Sequence, residues 1–193
     1  MRKAILERTT KETNIHINLN LDRAEDCNID TGIGFFDHML TLFSFRAGVA
    51  LDVNCDGDLH IDGHHTVEDV GIAIGQAIKK ALGDKRGIAR YGAASLPMDE
   101  ALVNCVLDIS NRGFLVFNAE LPAQKVGDFE TEMTEEFFRA LALEAGITLH
   151  INLAYGKNTH HIIEAIFKAF GVAFGQAIAL TESNNIPSTK GVL

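Results

Sequence analysis

Hydrophobic and polar positions repeat along the first half of the chain with two different periods. Residues 15–21 and 48–55 alternate between apolar and polar, which predicts half-buried β-strands. Residues 35–45 form a short apolar stretch, and apolar residues over 67–81 recur at helical spacing, so both segments are predicted to be helices. The second half follows the same order, with strands predicted near 101–109, 114–120 and 147–153 and helices near 131–145 and 159–180.

Several stretches of the first half recur in the second. The segment His64-His65-Thr66-Val67-Glu68 matches His160-His161-Ile162-Ile163-Glu164, and Gly48-Val49-Ala50-Leu51-Asp52-Val53-Asn54 matches Gly146-Ile147-Thr148-Leu149-His150-Ile151-Asn152. We therefore expect two copies of one β-β-α-β-α unit, over residues 1–90 and 91–193. The predicted fold is α+β, with two sheets, helices packed on one face of each, and both halves joined in one compact pseudo-symmetric domain.

Composition narrows the class of protein. The 193 residues are 47% hydrophobic and 22% charged, a globular balance that excludes disordered and fibrous chains. A net charge of −9 argues against a nucleic-acid partner, because phosphate binding needs clustered cations. The sequence shows neither an apolar run near the ~20 residues of a membrane span nor a signal-like N-terminus, so we expect a cytoplasmic protein without a membrane partner. Three scattered cysteines predict no disulfide framework.

Paired histidines are the main chemical feature. Each H-H-x-x-E motif is predicted to begin a long helix, where positions i and i+4 share one face and grip one ion. Adjacent histidines diverge by about 100° around the helix axis, so each pair serves two different ions. The simplest arrangement gives the first ion His64, Glu68 and His161, and gives the second ion His160, Glu164 and His65.

His38 and His150 are further candidates that would complete the two metal shells, whereas His16 and His60 are assigned no role. Nitrogen and carboxylate ligands suit manganese, iron, cobalt or zinc, and the sequence does not choose among them. The positive end of each helix dipole disfavours imidazolium, so the neutral ligand form of the paired histidines should stay available.

Cations next to small or polar residues are candidates for binding an anion. They are Arg90, Arg112, Lys168 and Lys190, with Ser188 beside the last. Guanidinium groups and hydroxyls suit phosphate oxygens, but each side chain taken alone is equally well explained as a solvated surface charge.

Several motifs, in order along the chain, resemble those of the imidazoleglycerol-phosphate dehydratase family of histidine biosynthesis, in its monofunctional form. They are Thr31-Gly32-Ile33-Gly34-Phe35-Phe36-Asp37-His38, Asp62-Gly63-His64-His65-Thr66-Val67-Glu68-Asp69, Leu82-Gly83-Asp84-Lys85-Arg86-Gly87, Pro97-Met98-Asp99-Glu100, Tyr155-Gly156-Lys157-Asn158-Thr159-His160-His161 and Pro187-Ser188-Thr189-Lys190-Gly191.

The resemblance implies a set of functional residues. It implies two Mn²⁺ per subunit, bound by His38, His64, His65, Glu68, His150, His160, His161 and Glu164. It also implies a homo-oligomer of 24 subunits with metal sites at subunit contacts. The phosphate would be held by Arg90, Arg112, Lys168, Ser188 and Lys190, and Glu12 would be the residue that moves a proton.

The implied reaction removes water from imidazoleglycerol phosphate and yields imidazoleacetol phosphate. With the substrate ring bound to metal as imidazolate, its electrons would help expel the hydroxyl, and a carboxylate would take the neighbouring C–H proton. The chain departs from the family pattern at Phe45, where a histidine is common, and at Asn111 and Gly113, where S-G-R-P is usual. Two other classes fit the metal motifs alone: a metal-dependent hydrolase and a non-catalytic metal-storage protein.

Overall fold

The structure, a computed structural model, describes residues 2–24 and 27–193. In the first half the elements are β1 (Lys3–Thr9), β2 (Thr13–Asn20), β3 (Ile29–Asp30), α1 (Gly34–Ala47), β4 (Ala50–Gly57) and α2 (His64–Leu82). In the second half they are β5 (Tyr91–Met98), β6 (Ala101–Asp108), β7 (Phe114–Asn118), β8 (Lys125–Val126), β9 (Phe129–Glu130), α3 (Met133–Ala145), β10 (Thr148–Tyr155) and α4 (Thr159–Ile178).

The two halves build equivalent sheets. The strand order is β1-β2-β4-β3 in the first and β5-β6-β10-β7 in the second, and the last strand of each is parallel to its neighbour. The central pairs also agree in register, because His16 lies opposite Asn54 and Asn104 lies opposite Asn152. The predicted α+β class and internal duplication are confirmed.

Each four-stranded sheet contains one strand more than the predicted unit, so the repeat is β-β-β-α-β-α, and the second half adds the two-stranded sheet β8-β9. The edge strand β5 gave a weak sequence signal because Gly92, small residues and Pro97 interrupt its alternation. Proline cannot donate a ladder hydrogen bond, and it is tolerated on an edge strand such as β5. The strand β3 is only two residues long and leaves no period to detect.

The helices lie between the two sheets. Helix α2 packs on the first sheet and α4 on the second, while α1 contacts α4 and α2 contacts α3. Phenylalanine rings fill the space between them, with Phe43 against Phe170 at 5.1 Å and Phe138 against Phe167 at 4.9 Å between ring centroids. These rings are 0–1% exposed, so the principal core is the layer of helices.

All four helices point the same way, which places their N-termini at one end of the molecule. Gly171 and Gly175 of α4 face the backbone of α1 at Phe43 and Ala47, so the two helices run parallel. Helices α2 and α3 show the same order of contacts. The ring of Phe36 meets that of Phe137 at 5.3 Å, which joins the beginnings of α1 and α3.

Helix α4 meets the criteria for a membrane span by length and composition alone. However, 72% of that stretch is buried inside the protein. Burial of most of its surface explains its apolar composition, as it does for the core helix of a layered fold.

Candidate active site

Both histidine pairs lie at the shared end of the helix layer, as the motif positions predicted. Helix α2 begins at His64, whose backbone N–H donates to Asp62 at 2.8 Å. Helix α4 begins at Thr159, and the side chain of Asn158 accepts a hydrogen bond from the backbone N–H of His161 at 3.3 Å. Side-chain acceptors therefore satisfy first-turn donors that the helices cannot satisfy themselves.

One histidine of each pair is oriented by a carboxylate. The Nδ1 atom of His65 lies 2.9 Å from Asp58, and that of His161 lies 2.7 Å from Glu100. A carboxylate that accepts from Nδ1–H fixes the ring and presents Nε2 as a metal donor. These hydrogen bonds raise the pKa of both histidines above the ordinary value. At His65 and His161 these hydrogen bonds therefore act against the helix dipole, which disfavours imidazolium.

The other histidine of each pair lies near the glutamate one turn further along. The Nε2 atom of His160 is 3.2 Å from Glu164, and His38 on α1 approaches the same oxygen at 3.7 Å. In α2 the corresponding separation, from His64 to Glu68, is 3.9 Å. We call the N-terminal turns of α2 and α4 the first and second helix tips. The histidine and glutamate side chains lie closer together at the second helix tip than at the first.

The carboxylate of Glu164 is 7% exposed. Burial raises its pKa, but the contact with the Lys168 ammonium and the hydrogen bond with His160 outweigh burial and leave the pKa below the usual value. Glu164 is thus held as an anion among potential ligands.

The donor set suits a divalent transition ion, since imidazole nitrogens and carboxylates converge at one end of the helix layer. Within the described part of one chain, however, no group of three or more His, Cys, Asp and Glu side chains is arranged to hold an ion. The contacts of His161 are with Asp99 and Glu100, and those of His65 are with Glu12 and Asp58. Neither predicted trio of metal ligands, His64–Glu68–His161 or His160–Glu164–His65, is therefore assembled within one chain. The further candidate His150 lies on the exposed face of β10.

Glu12 lies in the turn between β1 and β2, with its Oε1 atom 3.8 Å from Nε2 of His65. The corresponding turn of the second half carries Glu100, which accepts hydrogen bonds from the backbone of Asn158 at 2.7 Å and Lys157 at 3.1 Å. The hydrogen bond with His161 and these amides lower the pKa of Glu100 to about 2. In residues 2–24 and 27–193, no hydrogen bond reaches the Glu12 carboxylate, and its side chain is 51% exposed.

Four of the five candidate phosphate residues line one cleft of about 690 Å³, formed by the strand ends of the second sheet and the C-terminal segment. They are Arg90, Arg112, Ser188 and Lys190. The fifth, Lys168, lies elsewhere, beside Glu164 and Met98. Within a single chain, Lys168 is therefore not part of the cleft that contains the other four residues.

The two arginines of this cleft differ in how firmly neighbouring groups hold their side chains. Arg90 donates to both oxygens of Asp108, at 2.7 and 3.1 Å, and to the carbonyl of Pro187 at 2.8 Å. The hydrogen bonds with Asp108 raise the pKa of Arg90. Arg112 is 68% exposed and has one long ion pair, 3.6 Å from Asp108. Arg90 thus shapes the cleft by holding the C-terminal segment, while Arg112 is available to an anion.

The departures from the family pattern are accommodated locally. Asn111 adopts a φ of +62°, a conformation that glycine favours and asparagine tolerates. A Cβ at Gly113 would lie 2.5–2.9 Å from the backbone of α3, so glycine lets this chain bring the two segments close together. Phe45 is 74% exposed on α1.

Three supporting carboxylates escaped the sequence interpretation: Asp58, Glu100 and Asp108. An alignment of the two repeats would have found Glu100, because it precedes β6 as Glu12 precedes β2. For Asp58 and Asp108 the sequence holds no comparable signal, since their partners come from other elements.

Comparison with known proteins identifies this duplicated fold as that of an enzyme, a hydro-lyase. A sequence model of the imidazoleglycerol-phosphate dehydratase family matches residues 31–174. The chain belongs to this family, whose enzymes act in histidine biosynthesis on a small phosphorylated imidazole.

Relatives and solved structures agree with this assignment. The chain is 55% identical to the imidazoleglycerol-phosphate dehydratase of Exiguobacterium, covering 99% of this chain and 98% of the relative, and 57% identical to that of Lactococcus lactis, covering 100% and 98%. The crystal structure of the Staphylococcus aureus enzyme superposes with a TM-score of 0.85 at 46% identity, covering 93% of this chain and 99% of the other. The Pyrococcus furiosus enzyme gives 0.83 at 37% identity, with 97% and 100% covered.

Proposed function

We propose that the chain converts imidazoleglycerol phosphate to imidazoleacetol phosphate with the help of two divalent ions per subunit, Mn²⁺ being the expected metal. The observation that carries this proposal is the matched pair of helix tips, each with one carboxylate-oriented histidine and one histidine beside a glutamate. The residues that would hold the ions are His38, His64, His65, Glu68, His150, His160, His161 and Glu164. When bound, such ions supply Lewis-acid polarisation of the imidazole ring and the leaving hydroxyl.

Glu12 is the residue proposed to move the proton. The hydroxyl leaves from the carbon next to the ring, the proton leaves from the neighbouring carbon, and the resulting enol tautomerises to the ketone. The Glu12 side chain is 51% exposed and lies beside His65, so it can reach a substrate held at this helix tip. A carboxylate at that position acts as a general base.

The cleft of Arg112, Ser188 and Lys190 is proposed to bind the substrate phosphate, with Arg90 holding its wall in place. Lys168 would reach the phosphate of a substrate bound by another chain, because its own chain places it beside Glu164. The separation of Lys168 and His150 from the other candidates supports an assembly of several chains, for which 24 subunits is the expected number. Location in the cytoplasm stays a prediction.

The experiment is a dehydration assay with imidazoleglycerol phosphate on the purified protein, before and after removal of metal by a chelator. We expect ketone formation that disappears with the chelator and returns with Mn²⁺. The variant Glu12→Gln should keep its metal and lose turnover by about 100-fold or more. Retained turnover in Glu12→Gln would remove Glu12 as the base, and turnover that survives complete metal removal would contradict the metal requirement.

The same assay separates the alternatives. A hydrolase would release inorganic phosphate instead of forming a ketone. A storage protein would bind metal equally well after Arg112→Ala and would show no turnover. The dehydratase proposal predicts that Arg112→Ala raises KM about tenfold or more, since it loses a charge-assisted hydrogen bond to phosphate. Arg86→Ala is the matched control, because Arg86 is another exposed arginine whose partner is Asp84.

A further inference from the structure

A polar network lies beneath the turn that carries Glu12. The Thr13 hydroxyl donates to Asp69 of α2 at 2.5 Å, and the Arg8 guanidinium lies 2.7 Å from the same carboxylate oxygen. Asp69 is 7% and Thr13 is 3% exposed, so their hydrogen bond is shielded from water, whereas the Arg8 side chain is 26% exposed. The network joins β1, β2 and α2 below the turn.

The turn itself is fixed by further hydrogen bonds. The hydroxyl of Thr10 accepts from the backbone N–H groups of Glu12 and Thr13, both at 3.0 Å. The carbonyl of Glu12 accepts from the backbone N–H of Asp58 at 3.0 Å, and Asp58 in turn orients His65. The position of Glu12 relative to the helix tip therefore depends on the backbone of this turn.

The second half of the chain lacks the network at the equivalent place. The strand registers align Thr13 with Ala101 and Arg8 with Leu96, and the paired motifs align Asp69 with Ala165. Local packing supports this alignment: a Cβ built on Gly57 meets Thr66 and Thr13, and one built on Gly156 meets Ile162 and Ala101. A polar trio in one half, two members of which are buried, is thus an apolar trio in the other.

The second half of the chain shows that the hairpin and helix can pack together without the network. The second half folds the same hairpin against the same helix with Ala101 and Ala165 fully packed. Replacing a buried ion pair by apolar residues is commonly neutral or stabilising, so the fold alone does not require the polar trio.

The two turns differ in how their glutamates are held. The side chain of Glu100 is fixed directly by two backbone amides and by His161. Within the described residues no hydrogen bond fixes the side chain of Glu12, so its placement relies on the backbone that the network secures. A reactive carboxylate must keep its acceptor sites free, and holding its backbone leaves them free.

We propose that Arg8, Thr13 and Asp69 form a positioning network that sets Glu12 at the proton-transfer position beside His65. This inference rests on the proposed role of Glu12 in the reaction. The three residues act through the backbone of the turn and do not touch the substrate.

The test exchanges the polar trio for the apolar trio of the other half, as the triple variant Arg8→Leu, Thr13→Ala, Asp69→Ala in the full assembly. We expect unchanged metal content, a melting temperature that does not fall, KM within about twofold, and kcat lower by about 100-fold, the cost of a misplacement of about 1 Å. Unchanged kcat would overturn the inference. So would a loss of metal with normal kcat per bound metal.

A conservative pair keeps the test decisive if the triple variant fails to fold. Thr13→Val removes the hydroxyl with little change in shape, and Thr13→Ser keeps it. We expect kcat to fall at least tenfold in Thr13→Val and to stay near wild type in Thr13→Ser. Thr9→Val is the control, because it deletes an exposed hydrogen bond to Asn14 in the same hairpin and leaves Asp69 untouched. Equal kcat in Thr13→Val and Thr9→Val contradicts the network.

Failure of this inference is distinguishable from failure of the proposed function. If Glu12→Gln turns over normally, the role of Glu12 is wrong and the network has no catalytic group to position. If Glu12→Gln is inactive while the triple variant and Thr13→Val are fully active, the role of Glu12 stands and the positioning network alone is refuted.

Discussion

Glu12 and Glu100 occupy the same position in the two repeats, yet their surroundings give them different chemistry. Backbone amides and a histidine hold the carboxylate of Glu100 and lower its pKa to about 2. The carboxylate of Glu12 is half exposed and lies 3.8 Å from His65. Duplication supplied two glutamates, and local hydrogen bonding made one an orienting group and left the other half exposed, as its proposed role in proton transfer requires.

Replacing Glu100 tests its orienting role. In Glu100→Gln the amide oxygen can still accept from Lys157 and Asn158, but the amide NH₂ then faces Nδ1 of His161. The ring must accept there and carry its proton on Nε2, which blocks metal binding. We expect affinity for Mn²⁺ to fall about 10- to 100-fold, measured by calorimetric titration of the stripped protein. Glu182→Gln, at an exposed site, should bind as wild type, and equal affinity of both variants would refute the role.

Asp22 contributes a pH-dependent part of the stability. It accepts from the backbone N–H of Arg2 at 2.7 Å and from the Arg2 guanidinium at 2.8 Å, and these hydrogen bonds lower its pKa. Because the folded pKa lies below the unfolded one, the carboxylate stabilises the fold at neutral pH, and this contribution is lost as pH falls through the folded pKa. Urea unfolding should show Asp22→Asn destabilised relative to wild type at neutral pH, and the difference should shrink at acidic pH. An equal loss at both pH values would contradict this.

At the scale of elements, the helix pairs depend on glycine where they cross. A Cβ on Gly171 would lie 2.8 Å from the carbonyl oxygen of Phe43, and one on Gly75 would lie 2.8 Å from that of Leu141. Backbone carbonyls in packed helices cannot move aside without shifting the whole element. Glycines at the helix crossings therefore keep α1 close to α4 and α2 close to α3.

Alanine at such a crossing should destabilise the protein, although alanine normally favours a helix. We expect Gly171→Ala to lower the free energy of unfolding by about 1–3 kcal/mol, the usual cost of overpacking. Gly34→Ala is the control, since a Cβ at that helical position meets nothing within 4 Å, and its stability should not fall. Chemical denaturation of both variants provides the measurement. A stabilised Gly171→Ala would show that the helices can separate at little cost.

The sequence predicted those elements whose burial is one-sided and periodic. The alternation of Ile15, Ile17 and Leu19 predicted β2, and the helical spacing in residues 67–81 predicted α2. The edge strand β5 and the short β3 were missed, because small residues, proline and shortness remove the periodic signal. One-sided burial imposes a periodic alternation of apolar and polar residues, and edge strands are under a weaker constraint of this kind.

At the scale of the whole molecule, four parallel helices bring both repeated motifs to one end. The motif residues were predictable because their spacing has a geometric meaning on a helix. Their supports, such as Asp58 and Asp108, were not, because they come from other elements and contact the site only after folding. The separation of Lys168 from Arg112 has the same origin, since it follows from the arrangement of whole elements.

The most direct test of the account is the number of divalent ions bound per chain, measured by elemental analysis of the intact assembly. We predict two ions per chain in the wild type, one in Glu68→Gln, one in Glu164→Gln and none in the double variant, since each glutamate serves a different ion. Wild-type protein without stoichiometric metal, or a double variant that still binds two ions, would contradict the claim that the two helix tips form the metal sites.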